Sequence, residues 1–502
     1  MIDSHCHLEM FENAKHFPEA KPKESNAKHF PPACRQTGEA MPKVSKEISD
    51  VIRRAYDAGV RIIITIASDV ESLEKVVDIA DTYSMVYASV GIHPHNANDL
   101  DDEVLKKIFK LSRHPKVVAI GEIGLDYHYK HAPIEIQRKA FEKQLELAKE
   151  TDLPVIIHSR EAFDDTIKIL KESGVRKGVM HCFSGNLSQA KKAIELGFFI
   201  SISGVVTFKN AKKIREVAQF VPDEYLIIET DAPYLTPEPF RGKKNEPSFL
   251  FYTARALAEI RGVTVEDIDR ITSVNVKRLF KIGELPKGEI AYKIRDTLYL
   301  NVTNRCTNVC RFCVRFHTDY VKGHNLRLEK EPTANELISA IGDPKQYKEV
   351  VFCGYGEPFL RLDLIKEVGK WIKEQGGKVR INTNGHGNLI HGRRILKEMK
   401  GLIDSISISL NAQDKETYNK ICNPQILPVS RQVAKQFPEV MPKESHPDAY
   451  DSVIEFIKDA KKYIPNVQVT VVDVPGVDIK KCEEIANSLG VRLKVRHLDQ
   501  VG

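Results

Sequence analysis

Short apolar runs recur along the first 280 residues, each followed by a loop and then a stretch with helical spacing. They read MIDSHCH, VRIIITI, MVYASVGI, VVAIGEIG, LPVIIHS, GVMHCFSG, FFISISG and YLIIETD, eight in all. Runs nearly continuous in Val and Ile fit parallel strands covered on both faces. Between them, segments such as PIEIQRKAFEKQLELAKET keep apolar residues on one helical face and charges on the other. Eight strand–helix units in this length predict a TIM-like (β/α)8 barrel. Around KIGELPKGEIAYKIRD, residues 281–296, Gly and Pro interrupt the pattern, which marks a domain boundary. A second series follows: DTLYLNV, EVVFCGY, GKVRINT, DSISISL, VQVTVVD and VRLKVRH. Six strands alternating with helices such as LDLIKEVGKWIKEQG predict an open, partial (β/α)6 barrel. The expected domains are residues 1–282 and 295–502, with 283–294 as a linker.

Two stretches break this rhythm, about 11–44 and 426–447. NAKHFP occurs at residues 13–18 and again at 26–31. AKHFPEAKPKES from Ala14 returns as AKQFPEVMPKES from Ala434, with nine of twelve positions identical. Near-identical segments in unrelated contexts are not one structural repeat. They read as an inserted element on surface loops, the alternative being a lid over the catalytic end. His16, His29 and Cys34 lie in the first insertion and are not counted as ligands.

Length and composition agree with this division. A chain of 502 residues exceeds one ordinary core. Hydrophobic residues at 42% and charged residues at 29% are globular proportions, and no apolar run approaches the roughly 20 residues of a membrane helix. The start lacks a basic head followed by an apolar stretch, so no secretory signal is expected. Nine unevenly spaced cysteines fit a reducing cytoplasm, where clustered thiols bind metal more often than they pair. The net charge of +6 neither requires nor excludes a nucleic-acid partner, so any phosphate site would be local.

The first series carries a metal-competent constellation. His5 and His7, two apart on the first strand, share a face. Glu122 ends the fourth expected strand, His158 ends the fifth, His181 lies in the sixth and Asp231 ends the eighth. These six groups fall at the carboxyl ends of five strands, where barrel enzymes keep their active sites. Imidazole and carboxylate suit Zn, Mn, Co or Fe, and carboxylates accept Mg. Six ligands exceed the needs of one open ion, whereas two ions about 3.5–4 Å apart and bridged by a carboxylate would use them all. His93 and His95 in GIHPH could contact substrate or an anion. Arg160 could hold a phosphate or form a surface ion pair, and Glu229 could orient a ligand or simply pair. Cys6 and Cys182 read as core thiols.

DSHCHL, GIHPH, GEIGLDY, IHSR, HCFSG and ETDAPYL, in this order, resemble the TatD family of metal-dependent hydrolases over about residues 1–282. The resemblance implies an amidohydrolase-type barrel with two divalent ions (Mg, Mn or Zn). It also implies deoxyribonuclease activity of the 3′-to-5′ exonuclease type, with DNA as substrate. By position, His5, His7, Glu122 and Asp231 would hold one ion. Glu122, His158 and His181 would hold the other, with Glu122 bridging. Water activated there would attack a phosphorus or carbonyl centre, with Glu122 and Asp231 as the catalytic candidates and Asp231 also managing the proton. A phosphodiester, an ester and an amide all fit such a site. The alternative is therefore an ester or amide hydrolase, such as a D-aminoacyl-tRNA deacylase.

The second series carries TNRCTNVCRFC, with Cys306, Cys310 and Cys313 in eight residues. Zinc prefers four ligands, and only His317 is near enough in sequence to complete a set. Disulfides would leave one thiol over. Three thiolates on a four-iron cluster leave one iron open. The spacing, with aromatic Phe312 before the last Cys, resembles the radical S-adenosylmethionine (SAM) enzymes, as does EVVFCGYGEP after the second strand. That resemblance covers about residues 295–502 and implies a 4Fe-4S cluster whose open iron chelates S-adenosyl-L-methionine. It further implies an electron donor such as flavodoxin or ferredoxin, and a 5′-deoxyadenosyl radical that abstracts hydrogen from a substrate. Gly354, Gly356 and Glu357 would contact the cofactor, their glycines allowing close backbone approach. Asn384 and Ser409, like Asn382 and Asn411, could bind ribose or carboxylate, or cap helices. Cys353 reads as buried, and Cys422 and Cys482 are isolated, so no second cluster is expected. As a whole the chain resembles TatD-linked radical SAM proteins and reads as a cytoplasmic bifunctional enzyme. The competing reading is a binding scaffold with a dead hydrolase barrel, which iron and sulfide content would separate.

Overall fold

A computed structural model describes residues 1–12, 44–425 and 449–497. The repeats of the two inserted stretches, with His16, His29 and Cys34, lie outside the described residues. The chain divides into two compact units, Met1–Leu285 and Pro286–Gly502.

Eight parallel strands build the first unit in chain order. They are β1 Ile2–Cys6, β2 Ile62–Ile66, β3 Val86–Val90, β4 Val117–Asp126, β5 Val155–Arg160, β6 Gly178–Met180, β7 Phe198–Ile202 and β8 Leu226–Ile228. The ring closes beyond β8, where Cys6 bridges Ala232, His7 N donates to Ala232 O at 2.7 Å and Asp231 N donates to His5 O at 2.9 Å. Every residue of β4 is buried, as expected of strands enclosed by helices outside and side chains within. The helix Ile134–Thr151 shows the outer layer: Phe141, Leu145 and Ala148 are buried at helical spacing. Burying a side chain the size of Phe141 or Leu145 stabilises by about 1.5–3 kcal/mol, and Phe141→Ala would cost about 3–5 kcal/mol.

A smaller apolar cluster fills the barrel from the other side. Ile2, Ile64, Ile66, Ala119, Ile156, Val179 and Ile227 pack with Val276, Leu279, Phe280 and Ile282, which end or follow the last helix. Hydrocarbon therefore plugs the amino-terminal end of the barrel. Polar side chains are left to the carboxyl ends of the strands.

The second unit is an open seven-stranded sheet. Its strands are β9 Ala291–Ile294, β10 Thr297–Leu300, β13 Glu349–Phe352, β14 Val379–Thr383, β15 Ser405–Ser409, β16 Asn466–Asp473 and β17 Arg492–His497. A two-stranded hairpin, β11 Tyr320–Val321 and β12 His324–Asn325, stands apart. Strands β10 and β13–β17 are the six expected, all parallel. The seventh is a correction: the expected linker contains β9, which pairs antiparallel with β10 across a two-residue turn. An edge strand pairs on one side only, and four residues between Gly, Pro and charges carry no periodic signal. The core joins Leu300, Phe352, Ile381, Ile406, Ile408 and Val469 to the helices Leu362–Glu374 and Ala449–Tyr463 through Ile365, Val368, Val453 and Phe456. Among the described residues, no helix is long and apolar enough to cross a membrane.

Candidate metal centre and thiol loop

The carboxyl ends of the barrel strands converge on one carboxylate. Glu122 lies within β4, which runs four residues past it, beside an irregularity in the pairing with β5. Its two oxygens face opposite ways. Oε2 lies 3.4 Å from His5 Nε2 and 3.9 Å from His7 Nε2. Oε1 lies 2.7 Å from His158 Nδ1, 3.2 Å from His181 Nε2 and 3.5 Å from His93 Nε2. Asp231, just past β8, completes the first side with Oδ1 at 3.6 Å from His5 Nε2 and 3.8 Å from His7 Nε2. All six expected groups meet here. His93, expected to contact substrate or an anion or to be structural, joins Glu122 and His158 as a third candidate ligand, their atoms within 4.8 Å of one another.

The donor set asks for cations. His5 Nε2 and His7 Nε2 point at each other across 3.3 Å, where two imidazole lone pairs repel unless a proton or an ion lies between them. His7 Nδ1 sits 3.0 Å from Ile66 O, a carbonyl that can only accept, so the proton belongs on Nδ1 and Nε2 is the free lone pair. His5 Nδ1 is buried with no hydrogen-bond partner among the described residues. Burial pushes His5 down to about 4, keeping it neutral and able to coordinate, and pushes Asp231 up to about 6. Burial alone would raise Glu122, yet the charges of His181 and His93 hold it well below the carboxylate range. Buried imidazoles crowded around one carboxylate, with cationic charge drawn to it, fit divalent metal, whose binding would displace the imidazole protons.

A cavity of about 960 Å³ opens above these groups, near the upper end for small-molecule sites. His93, His95, Tyr129, Arg160, Asp231 and Tyr234 line it. The Arg160 guanidinium lies 4.6 Å from the Tyr129 ring centre.

In the second unit, Cys306, Cys310 and Cys313 follow β10 in a loop wedged between neighbours. Glu357 N donates to Arg305 O at 2.8 Å, and Arg311 N donates to Ile421 O at 3.0 Å. A Cβ on Gly356 would stand 2.3 Å from Arg305 O and 2.4 Å from Thr303 O. Gly354, at φ 150°, would set a Cβ 2.2 Å from Asn301 Oδ1. These glycines let the loop after β13 press against the thiol loop itself. The buried Glu357 side chain accepts from Phe359 N at 3.0 Å, Thr383 Oγ1 at 2.8 Å and Asn384 N at 2.7 Å, tying the β13 loop to β14. Asn384 Nδ2 reaches Thr307 Oγ1 at 2.7 Å and lies 3.7 Å from Cys306 Sγ. Ser409 ends β15, half-buried.

The three sulfurs are not gathered about one point. Among the described residues, every set of three ligand atoms within 4.8 Å of one another lies in the first unit, whereas sulfurs on a single zinc crowd closer than that. His317 is exposed. Burial pushes Cys306 up to about 12 and raises Cys313, while Arg315 opposes it at both. The Arg315 guanidinium is buried under the loop, donates to Asn308 O at 2.7 Å and Asn304 O at 3.3 Å, and keeps Nε unpartnered. Spread thiols above a buried cation fit an anionic cluster bound through thiolates.

The family model for TatD-related DNases matches residues 2–281, the whole unit whose strand ends carry the Glu122 centre. The chain belongs to the TatD family. The radical SAM superfamily model matches residues 300–489, which contain the thiol loop, so a TatD domain is joined to a radical SAM domain. An uncharacterised metal-dependent hydrolase of Bacillus subtilis, YabD, is 46% identical over 239 residues, covering 47% of this chain and 94% of its own length. A Klebsiella pneumoniae protein named 3′-5′ ssDNA/RNA exonuclease TatD is 34% identical over 245 residues, covering 47% of this chain and 93% of itself. The solved structure of YJJV, a TatD homologue from Escherichia coli, has 33% identity, covers 56% of this chain and 98% of its own, and aligns with a TM-score of 0.47.

The TatD domain also holds buried acids behind its imidazoles. Asp126, fully buried, accepts from His158 Nε2 at 3.0 Å and His95 Nε2 at 2.9 Å. It was missed although GEIGLDY contains it, and although it stands four residues beyond Glu122 on the same face of β4. Glu229 accepts from Cys182 N at 2.7 Å and Ser201 Oγ at 2.6 Å, and its Oε1 lies 3.0 Å from His181 Nδ1, off the line of a hydrogen bond. Glu9 lies 3.5 Å from His7 Nδ1. In the radical SAM domain the missed residue is Arg315, which a lone Arg two residues past Cys313 does not signal.

Proposed function

We propose that the TatD domain is a two-metal exonuclease acting 3′ to 5′ on single-stranded DNA or RNA. In this reading His5, His7, Glu122 and Asp231 hold one divalent cation (Mg, Mn or Zn), and Glu122, His158 and His181 hold the other, with His93 beside it. The observation that carries it is the division of Glu122 between two histidine groups, one at each oxygen. The similarity to a named single-strand exonuclease supports the substrate class. When bound, such ions supply Lewis acidity and make water a better nucleophile. The protein's own groups set the geometry: Glu122 fixes the spacing, Asp126 and Glu229 hold the imidazoles behind it, and Asp231 takes up and returns the proton. Arg160 at the cavity mouth meets a phosphate, and His95 stands beside it.

The second half of the proposal concerns the radical SAM domain. Cys306, Cys310 and Cys313 hold a 4Fe-4S cluster, and Gly354, Gly356, Asn384 and Ser409 line the place of S-adenosyl-L-methionine. When bound, the pair supplies reductive cleavage of the sulfonium by one electron, drawn from a flavodoxin- or ferredoxin-like donor in the cytoplasm. Arg315 offsets the charge of the cluster from below, and Glu357 keeps the β13 loop against it.

The deciding experiment is hydrolysis of end-labelled single-stranded DNA with Mg or Mn. Stepwise shortening by the intact chain, lost in Asp231→Asn, is expected. No cleavage by fully metallated protein would overturn the nuclease reading.

A further inference from the structure

Cys422 is isolated in the sequence but not in space. Asn308 and Pro424 form an antiparallel bridge. Gln425 N donates to Thr307 O at 2.7 Å, Val309 N to Asn423 O at 3.2 Å and Arg311 N to Ile421 O at 3.0 Å. Val309 N also reaches Cys422 O at 3.0 Å, where Cys422 ends the helix Lys415–Cys422. These bonds lay the thiol loop along the end of that helix, and the Cys310 side chain is in hydrogen-bonding contact with the Cys422 side chain. Two sulfurs already in contact need little movement to close a disulfide of about 2 Å. Both side chains reach one apolar cluster: Cys422 is a buried member and Cys310 packs half-buried against it. Asn411 Nδ2 stands 3.5 Å from Cys422 Sγ.

We infer that Cys310 and Cys422 are a redox pair, and that a disulfide between them closes when the thiol loop loses its metal. The oxidant is a small disulfide such as oxidised glutathione. The half-buried Cys310, as thiolate, attacks one of its sulfurs and releases one small thiolate, leaving a mixed disulfide. Cys422 then gives up its proton and attacks the Cys310 sulfur, expelling the second. Two protein thiols lose two electrons and two protons, and the small disulfide becomes two thiols. The link shields Cys310 from irreversible oxidation to sulfinic acid, and a reductant restores it. Pairing needs only the two thiols. Its role as a guard rests on the proposal that the loop holds a cluster.

The test uses the full chain, freed of iron and treated with oxidised glutathione, then digested with trypsin without reduction. Peptide 306–311 joined to peptide 421–431 is expected, and the same link in Cys306→Ala assigns it to Cys310. Linkage confined to Cys306, Cys310 and Cys313, or Cys422 left free, would overturn the pair. Cys422→Ala adds a second readout. It is expected to take up as much iron as the parent under anaerobic reconstitution, and several-fold less after a cycle of oxidation and re-reduction. Iron lost already in the anaerobic step would make Cys422 a cluster ligand and sink the switch. No iron in either protein, with the link still formed, would leave the pair standing and remove the cluster reading instead.

Discussion

Glu122 does its work through geometry that other carboxylates enforce. His158 is held between two acids, Glu122 at Nδ1 and Asp126 at Nε2, and Asp126 in turn accepts from the backbone N–H of His128 and Tyr129 at 3.0 and 2.9 Å. Asn at 126 would keep the shape and lose the charge, and its amide would turn one donor toward an imidazole that is itself donating. Asp126→Asn should weaken Mn binding by about 10–100-fold, the usual effect of losing a carboxylate behind a ligating imidazole; equilibrium dialysis of Mn reads it. Unchanged affinity would leave His158 with no part in holding metal. Arg315 makes the matching case in the other domain. A buried positive charge favours the reduced, more negative state of a cluster beside it. Arg315→Gln should therefore move the cluster potential down, by about 100 mV for a unit charge at close range in a medium of intermediate dielectric. Redox titration followed by electron paramagnetic resonance would show it, and a potential that stays put would assign Arg315 to loop packing alone. Neither residue announces itself in the sequence. Asp126 follows Glu122 at a spacing that any strand repeats by chance, and Arg315 acts through a fold in the loop that brings it back beneath residues 304–308.

Elements were more legible than the residues that brace them. Fourteen parallel strands declared themselves, eight in the first unit and six in the second, because most are short runs rich in Val, Ile, Leu or Phe and each recurs between helix-like stretches. Strand β9 did not, since AYKI alternates for only four residues and borrows its order from β10. The glycines after β13 read as room for a ligand, and the structure adds a second neighbour: the backbone that crowds Gly356 is the thiol loop. Contacts between loops far apart in sequence leave no local pattern. Their consequence can be measured. A methyl on Gly356 meets two backbone carbonyls that cannot rotate away, so Gly356→Ala must displace the thiol loop or the β13 loop. Overpacking of this kind costs about 1–3 kcal/mol. Several-fold less iron per chain is expected, with hydrolysis of single-stranded DNA unchanged. Full iron content would show that the two loops separate easily.

The whole chain places each set of chemical groups inside one unit. Glu122, Asp231 and the histidines around them belong to Met1–Leu285, and the thiols, Arg315 and the glycine loop to Pro286–Gly502. The apolar clusters obey the same division: those around the barrel use no residue beyond 282, and those of the open sheet begin at 290. Among the described residues each apolar cluster belongs to one unit, so a change at one site is expected to leave the packing around the other intact. A pair of variants tests this independence in the intact chain. Asp231→Asn removes a ligand-type carboxylate from the barrel, and should abolish hydrolysis while iron and sulfide per chain stay at the parent level. Cys310→Ala removes one thiol of the loop, and should strip the iron while hydrolysis holds to within about twofold, the scatter expected of uncoupled sites. A large loss of hydrolysis in Cys310→Ala, with the barrel still taking up Mn normally, would mean that the radical SAM domain supplies something the TatD domain needs, and the two sites would then have to be treated as one.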